Sequence, residues 1–317
     1  MHRQTHNKRC RAYLIVLLCS LLLLSACSAA PEFKGFLWKV TDPKHKKLET
    51  EFYILGSIHT VSTVNLKFSQ KILSRFERSS TVVLEDDPSR LSAAIQEMTS
   101  TNLRNYIDLE TETKLVDYLA EVGFQKPQID KVLRFHPYAL LIYLNDTAKP
   151  TRGALEKYDF RKIPKYPGVD TMLLQSARDA GKNIKFLETD ADVMRIWIET
   201  CSSKTENSAA ISHAIDLLTG AKQVDKRFYD AQLAFEKGDT QHLKNWYFSR
   251  ETQQSISMSI NKKCSIVPRN FFWKSKIIDH LRGDDNTLVI VGAAHLLGKN
   301  SLVELLRAEG FKLEMVE

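Results

Sequence analysis

Two stretches near opposite ends of the chain constrain the fold most. "FYILGSIHT" (52–60) and "LVIVGAAHLLG" (288–298) each run an unbroken apolar segment into Gly-x-x-His. An apolar run of this length, followed at once by glycine, reads as a buried strand. In open α/β sheets ligands bind beyond the carboxyl ends of the strands, so His59 and His295 are expected on loops lining such a crevice. Gly56 and Gly292 would let backbone or ligand approach where a Cβ would obstruct. The two histidines are 236 residues apart in sequence. A shared site therefore requires the fold to bring the two ends together.

The remaining pattern is α/β. "FLWKV" (36–40) and "EFYILGSI" (51–58) flank the polar turn "TDPKHKKLE" and read as a hairpin. Phe68, Ile72, Leu73 and Phe76 recur at helical spacing, and "TVVLE" (81–85) is a short buried strand. Residues 88–150 are helical in pattern, broken at Gly123, Pro127 and Pro137. In "YPGVDTMLLQSARDAGKNIKFLET" (166–189), Asp170 is placed as a helix N-cap, Gly181 stops the helix and "NIKFLE" follows as a strand. From about 190 to 282 strand signals are absent, which predicts a helical insert. A strand over 287–293, a helix and a final strand close the chain, with Ser301 and Glu304 as a capping box.

The opening segment is read separately. Arg3, Lys8, Arg9 and Arg11 precede "AYLIVLLCSLLLL", and "LSAC" ends at Cys27. This resembles the lipobox of bacterial lipoproteins: residues 1–26 would be a signal peptide, and Cys27 the lipidated first residue of the mature chain, followed by a tether over 27–35. Ser28 after the cysteine favours the outer membrane. The alternatives are an ordinary secretory signal or a membrane helix. The run is short for a span, however, which needs about 20 residues. The chain is thus expected in the cell envelope, anchored to a lipid bilayer and not crossing it.

Removing the leader takes four of the 45 basic residues, so that 41 face 38 acidic ones and the net charge falls from +7 to +3. The charges are interspersed, and no nucleic-acid partner is expected. Beyond Cys27 only Cys201 and Cys264 remain of the five cysteines. Outside the cytoplasm two such residues commonly pair; free buried thiols are the alternative. Neither lies in a Cys-x-x-Cys pair, so a cysteine zinc site is not expected.

The ordered set "LWKV", "GSIH", "VVLE", "GVDTMLLQSARDAGKNIKFLET", Gly238–Asp239, Arg269–Asn270 and "VGAAHLLG" resembles the TraB/GumN family, related to the Tiki metalloproteases and to erythromycin-esterase-like and haem-binding ChaN-like proteins. The resemblance covers residues 36–317 and implies an α/β domain, a central mixed β-sheet flanked by helices. It implies a site built from His59, His295 and Glu85, with a divalent ion (Mn, Co or Zn) and peptide or protein substrates. Arg269 matches a family arginine that would bind an anionic group or pair with a site carboxylate. Glu188 matches a glutamate at a strand end, a fourth ligand or a partner that fixes a histidine. Haem is the alternative cofactor, in a non-catalytic reading; a catalytically silent, partner-binding protein is a third.

From the residues themselves, two imidazoles and a carboxylate suit a hydrolytic metal centre with an open position for water. Asp86 and Asp87 read as a solvated acidic turn, and Ser57 as a nucleophile only in an esterase-like variant. Trp246, Tyr247, Phe248, Phe271, Phe272 and Trp273 read as packing. His45, His136, His213, His242 and His280 have no ligand spacing.

Overall fold

A computed structural model describes residues 32–44, 50–87, 102–144, 151–152, 166–201, 203–221 and 226–317. The signal peptide, Cys27, His45 and most of the 41–49 turn, and residues 88–101 and 145–150 of the helical stretch, lie outside them. Among the described residues no helix is long and apolar enough to cross a membrane.

Ten strands are described: β1 (Glu32–Phe33), β2 (Phe36–Thr41), β3 (Phe52–Ser57), β4 (Thr60–Val61), β5 (Lys67–Phe68), β6 (Thr81–Leu84), β7 (Tyr166–Pro167), β8 (Asn183–Phe186), β9 (Thr287–Gly292) and β10 (Lys312–Met315). Six of them form one mixed sheet in the order β10-β2-β3-β9-β6-β8. The β2–β3 hairpin is antiparallel, with Phe36 opposite Gly56, and β10 closes that side antiparallel to β2. From β3 onward, β9, β6 and β8 all run parallel. The fold is the expected α/β architecture.

Burial follows the sheet order. Every residue of β3, β6 and β9 is buried. Strands covered on both faces read as unbroken apolar runs, not as alternation. The edges differ: β8 alternates between exposed and half-buried residues, and β10 buries only Leu313. Their lysines, asparagine and glutamate guard the open edges against further pairing. The chain already pairs at β1, inside the segment read as a tether, and Phe33 there is fully buried.

Helices cover the sheet. Gln70–Arg78 buries Ile72 and Phe76 and starts at Ser69, whose side chain accepts from the Ile72 N–H. The helix Val169–Asp179 packs on β6 and β8, and Val267–Leu281 on β9, where Trp273 and Ile277 join the main core. From 190 to 282 the described elements are all helical. At the final helix Ser301 caps the Glu304 N–H as expected, while the Glu304 carboxylate accepts from Asn300 N–H instead of closing a box on Ser301.

A second cluster, separate from the sheet core, joins Leu103–Leu144 to Ile211, Ala214 and Ile215. Cys201 and Cys264 are disulfide-bonded, with Cα atoms 5.3 Å apart, among Trp197, Tyr138 and Leu141. Closing that loop restricts the unfolded chain by about 4 kcal/mol in the chain-entropy account. The bond ties the end of the helix Asp190–Thr200 to the turn that leads into Val267–Leu281.

Candidate functional site

Four parallel strands end at one edge of the sheet, and each delivers a polar side chain just past its end. His59 follows β3, His295 follows β9, Glu85 follows β6 and Glu188 follows β8. The β6–β8 pairing continues beyond the strands: Leu187 N–H donates to Leu84 O at 2.8 Å and Glu188 N–H to Glu85 O at 2.9 Å. The two glutamates are thereby brought side by side.

Gly292 is the floor of the site. A Cβ on it would lie 3.3 Å from Glu85 Oε1, 3.3 Å from His59 Nε2 and 3.7 Å from His295 Cδ2. The two imidazoles and the carboxylate thus border one small space. Gly292 N–H donates to Glu85 Oε1 at 2.5 Å, fixing the carboxylate from below. Gly56, the corresponding glycine of the first stretch, has another task. A Cβ there would press on Leu296 and Phe36, so it admits packing and not a ligand.

Each histidine has its Nδ1 engaged and its Nε2 directed to that space. His59 Nδ1–H donates to Asp170 Oδ2 at 2.7 Å. For His295, Asn270 decides the tautomer. The Asn270 amide nitrogen donates to the Asn300 carbonyl at 2.9 Å, so its oxygen faces His295 and accepts from Nδ1–H at 2.7 Å. His295 Nε2 is left as a lone-pair donor, 3.9 Å from Glu85 Oε1. Trp273 backs the ring at 4.5 Å between centroids.

The electrostatics of the two rings diverge. Burial lowers the His295 pKa to about 3, against the pull of Glu85. The His59 side chain is 62% exposed. Desolvation by the cleft walls opposes a proton on it, but the Asp170 hydrogen bond and the charges of Glu85 and Asp170 outweigh this and raise its pKa to about 9. For Glu85, burial works against the charged form; Arg269, then His295 and His59, overcome it and hold the carboxyl down at about 2.

Arg269 is the hub of the acidic side. Its Nη2 donates to Glu85 Oε2 at 2.7 Å and to Glu188 Oε1, and its Nε donates to both Glu188 oxygens at 2.9 and 3.1 Å. Trp273 Nε1–H adds a bond to Glu188 Oε2 at 2.8 Å, and its ring lies 4.6 Å from the guanidinium carbon. Glu188, expected as a ligand or a histidine partner, uses both oxygens on Arg269 and Trp273. Burial pushes its pKa up to about 7 despite that guanidinium.

Several site residues were not read from the sequence in these roles. Asp170 is not the N-cap: that position is Gly168, and Asp170 lies in the first turn, where it holds His59. The cap is a glycine because a Cβ there would collide with the backbone carbonyls of Ile58 and His59. Asn270 was legible only as half of a motif. Trp273, read as packing, does pack, but it also binds Glu188. Its i,i+4 relation to Arg269 puts both on one face of the helix, a signal available from spacing. Asp86 is not simply solvated: burial, and then the Glu85 charge, raise its pKa to about 6. Asp87 pairs with Arg178 at 3.2 Å. Ser57 is fully buried, its Oγ without a hydrogen-bond partner.

The donor set fits a divalent ion. Both imidazoles are held at Nδ1 by an oxygen acceptor, the arrangement that orients metal-ligating histidines, and Glu85 is an anionic oxygen donor beside them. The ligand atoms of His59, His295 and Glu85 do not all lie within 4.8 Å of one another. Among the described residues, the one group that meets that spacing is Cys201, Glu206 and Cys264. Its sulfurs are consumed in the disulfide, and Glu206 accepts from Lys263.

The model of the family described as TraB/PrgY/gumN matches residues 36–315. No curated protein and no solved structure matches the chain.

Proposed function

The chain belongs to the TraB/PrgY/gumN family, and on that premise we propose that it is a metal-dependent hydrolase with peptidase-like chemistry. The observation that carries the reading is the pair of imidazoles, each held at Nδ1 with Nε2 facing the space that Glu85 also borders. His59, His295 and Glu85 would hold the ion. Bound there, a divalent ion supplies Lewis acidity and a water acidic enough to ionise near neutrality. Asp170 and Asn270 keep the two rings in the ligating tautomer. Arg269 holds Glu85 in place through Nη2, and its charge would stabilise negative charge on a substrate carbonyl oxygen. A peptide bond is the proposed substrate class, by resemblance to the Tiki branch.

Metal content tests this first. The purified full-length protein is expected to retain Mn, Co or Zn, and His59→Ala/His295→Ala to lose it; equal content in both would remove the ligand assignment. Because His59 must shed its Nε2 proton to ligate, affinity is expected to rise with pH up to about 9. A peptide-library digest by the metal-loaded protein then tests turnover. A Soret band on haem addition that His295→Ala abolishes would favour the haem-binding alternative instead.

We further propose that Cys27 carries lipid and anchors the protein in the outer membrane. Cells expressing the wild type are expected to incorporate labelled palmitate into this protein, and Cys27→Ser to lose the label. Label retained in the variant would sink the anchor.

A further inference from the structure

Glu236 is a buried carboxylate, 1% exposed, and among the described residues no ion pair accompanies it. It ends the helix Lys226–Glu236, the terminus where the helix dipole disfavours an anion. Burying a carboxylate at such a place is unfavourable unless hydrogen bonds offset it. Four do. Ser62 N–H donates to Oε1 at 2.8 Å, Thr63 N–H and Thr63 Oγ1–H donate to Oε2 at 2.9 and 2.6 Å, and the Gln232 amide donates to Oε1 at 3.1 Å. Gln232 also donates to Thr60 O at 3.1 Å. All the remote partners lie in the loop that leaves His59.

The Gly238–Asp239 pair, singled out in the sequence but unused by the chemistry, explains how Glu236 reaches that loop. Gly238 has φ +88, and a Cβ there would meet Glu32 O at 2.7 Å. Gly238 N–H donates to Phe235 O and Asp239 N–H to Ala234 O, a glycine-terminated helix end. Asp239 then caps the next helix through His242 N–H at 2.9 Å. The turn stops the helix at Glu236 and leaves its carboxylate facing Ser62 and Thr63.

We propose that Glu236 is a positioning residue that clamps the Thr60–Thr63 loop and so holds His59 against Asp170 over Gly292. His59 needs such a clamp because its side chain stands at the mouth of the site with one polar anchor. The opposite side of the loop is fixed by β4–β7 pairing and by Val169 N–H donating to Ile58 O at 2.9 Å. Removing Glu236 frees one side only, which should leave the fold intact and the ring misplaced. The inference rests on His59 being a site residue, as proposed above.

The test uses Glu236→Gln in the full-length protein. Whichever way the new amide turns, its NH2 faces one of the two backbone N–H donors. Metal affinity, titrated with Mn, is expected to fall about 10–100-fold, with a smaller drop of the same sign in Thr63→Val. Leu243→Ala, a core variant in the neighbouring helix, serves as the control for general destabilisation and should keep wild-type affinity. A metal-independent readout is the rate at which diethyl pyrocarbonate modifies His59, followed by mass spectrometry; it should rise severalfold in Glu236→Gln and not in Leu243→Ala. Equal affinity and equal labelling in Glu236→Gln and wild type would overturn the clamp. A wild type that takes up no metal while Glu236→Gln still changes His59 labelling would overturn the metal-dependent reading and leave the clamp standing.

Discussion

Replacing Arg269 by methionine is expected to destabilise the protein by about 3–5 kcal/mol near pH 7.5, because it strands two buried carboxylates without their counter-charge. Methionine keeps most of the apolar stem against Trp273, so the loss isolates the guanidinium. The sign of the pH dependence follows from Glu85 and Glu188. In the wild type, Glu85 has a folded pKa of about 2, below its ordinary 4.5. It contributes stability that is present above 4.5 and is lost as the pH falls toward 2. In Arg269→Met burial acts on Glu85 without its main opponent, and on Glu188 it already wins, at about 7, with Arg269 in place. Both folded pKa values then lie above the unfolded one, so the variant loses stability as the pH rises above about 4.5. The gap between wild type and variant should therefore be wide at neutral pH and narrow near pH 4, read from urea denaturation at both. A gap of the same size at both values would mean that the guanidinium does not neutralise these carboxylates.

How far the site could be read from the sequence depended on whether a residue's partner was local. The strand-end histidines, Glu85 and Glu188 stood out because an apolar run ending in one polar residue is a signal in itself. The hairpin, the helix over 70–78 and the strands β6, β8 and β9 followed from periodicity and breakers. Sheet order did not: nothing local in "YILGSIH" says that β9, from the far end of the chain, lies beside β3, and on that adjacency the shared site depends. Asp170 shows the same limit in a smaller frame. An acid just before an apolar helical face reads as a cap, and only the contact of Gly168 with the His59 backbone moves the cap two residues earlier. Glu236 resembles any charged residue at a helix end. Its partners Ser62 and Thr63 lie more than 170 positions away, and burial alone distinguishes it.

The two glycines before the histidines are identical in their motifs and should part under the same substitution. Neither has a left-handed backbone, and Gly292 has φ −54, so alanine strains neither chain path. At Gly56 the new methyl meets Leu296 Cδ1 at 3.1 Å and Phe36 Cβ and Cδ2 at 3.2 Å, inside a packed core. Overpacking of this kind costs about 1–3 kcal/mol, and it falls on Leu296 and Phe36, which are not the side chains that border the space over Gly292. At Gly292 the methyl instead enters the space bordered by His59 Nε2 and Glu85 Oε1, each 3.3 Å away, and by His295. These are side-chain tips at the edge of the sheet, able to yield by a few tenths of an ångström with little loss of stability. The geometry required of ligands 2.0–2.2 Å from an ion tolerates no such intrusion. Gly292→Ala is therefore expected to unfold at nearly the wild-type urea concentration yet to lose metal affinity by about 10–100-fold, the scale on which disturbed support of metal ligands acts. Gly56→Ala should do the reverse, losing stability and keeping the metal. If both variants lose stability and metal in proportion, Gly292 is a packing glycine like its counterpart, and the space above it is not where an ion binds.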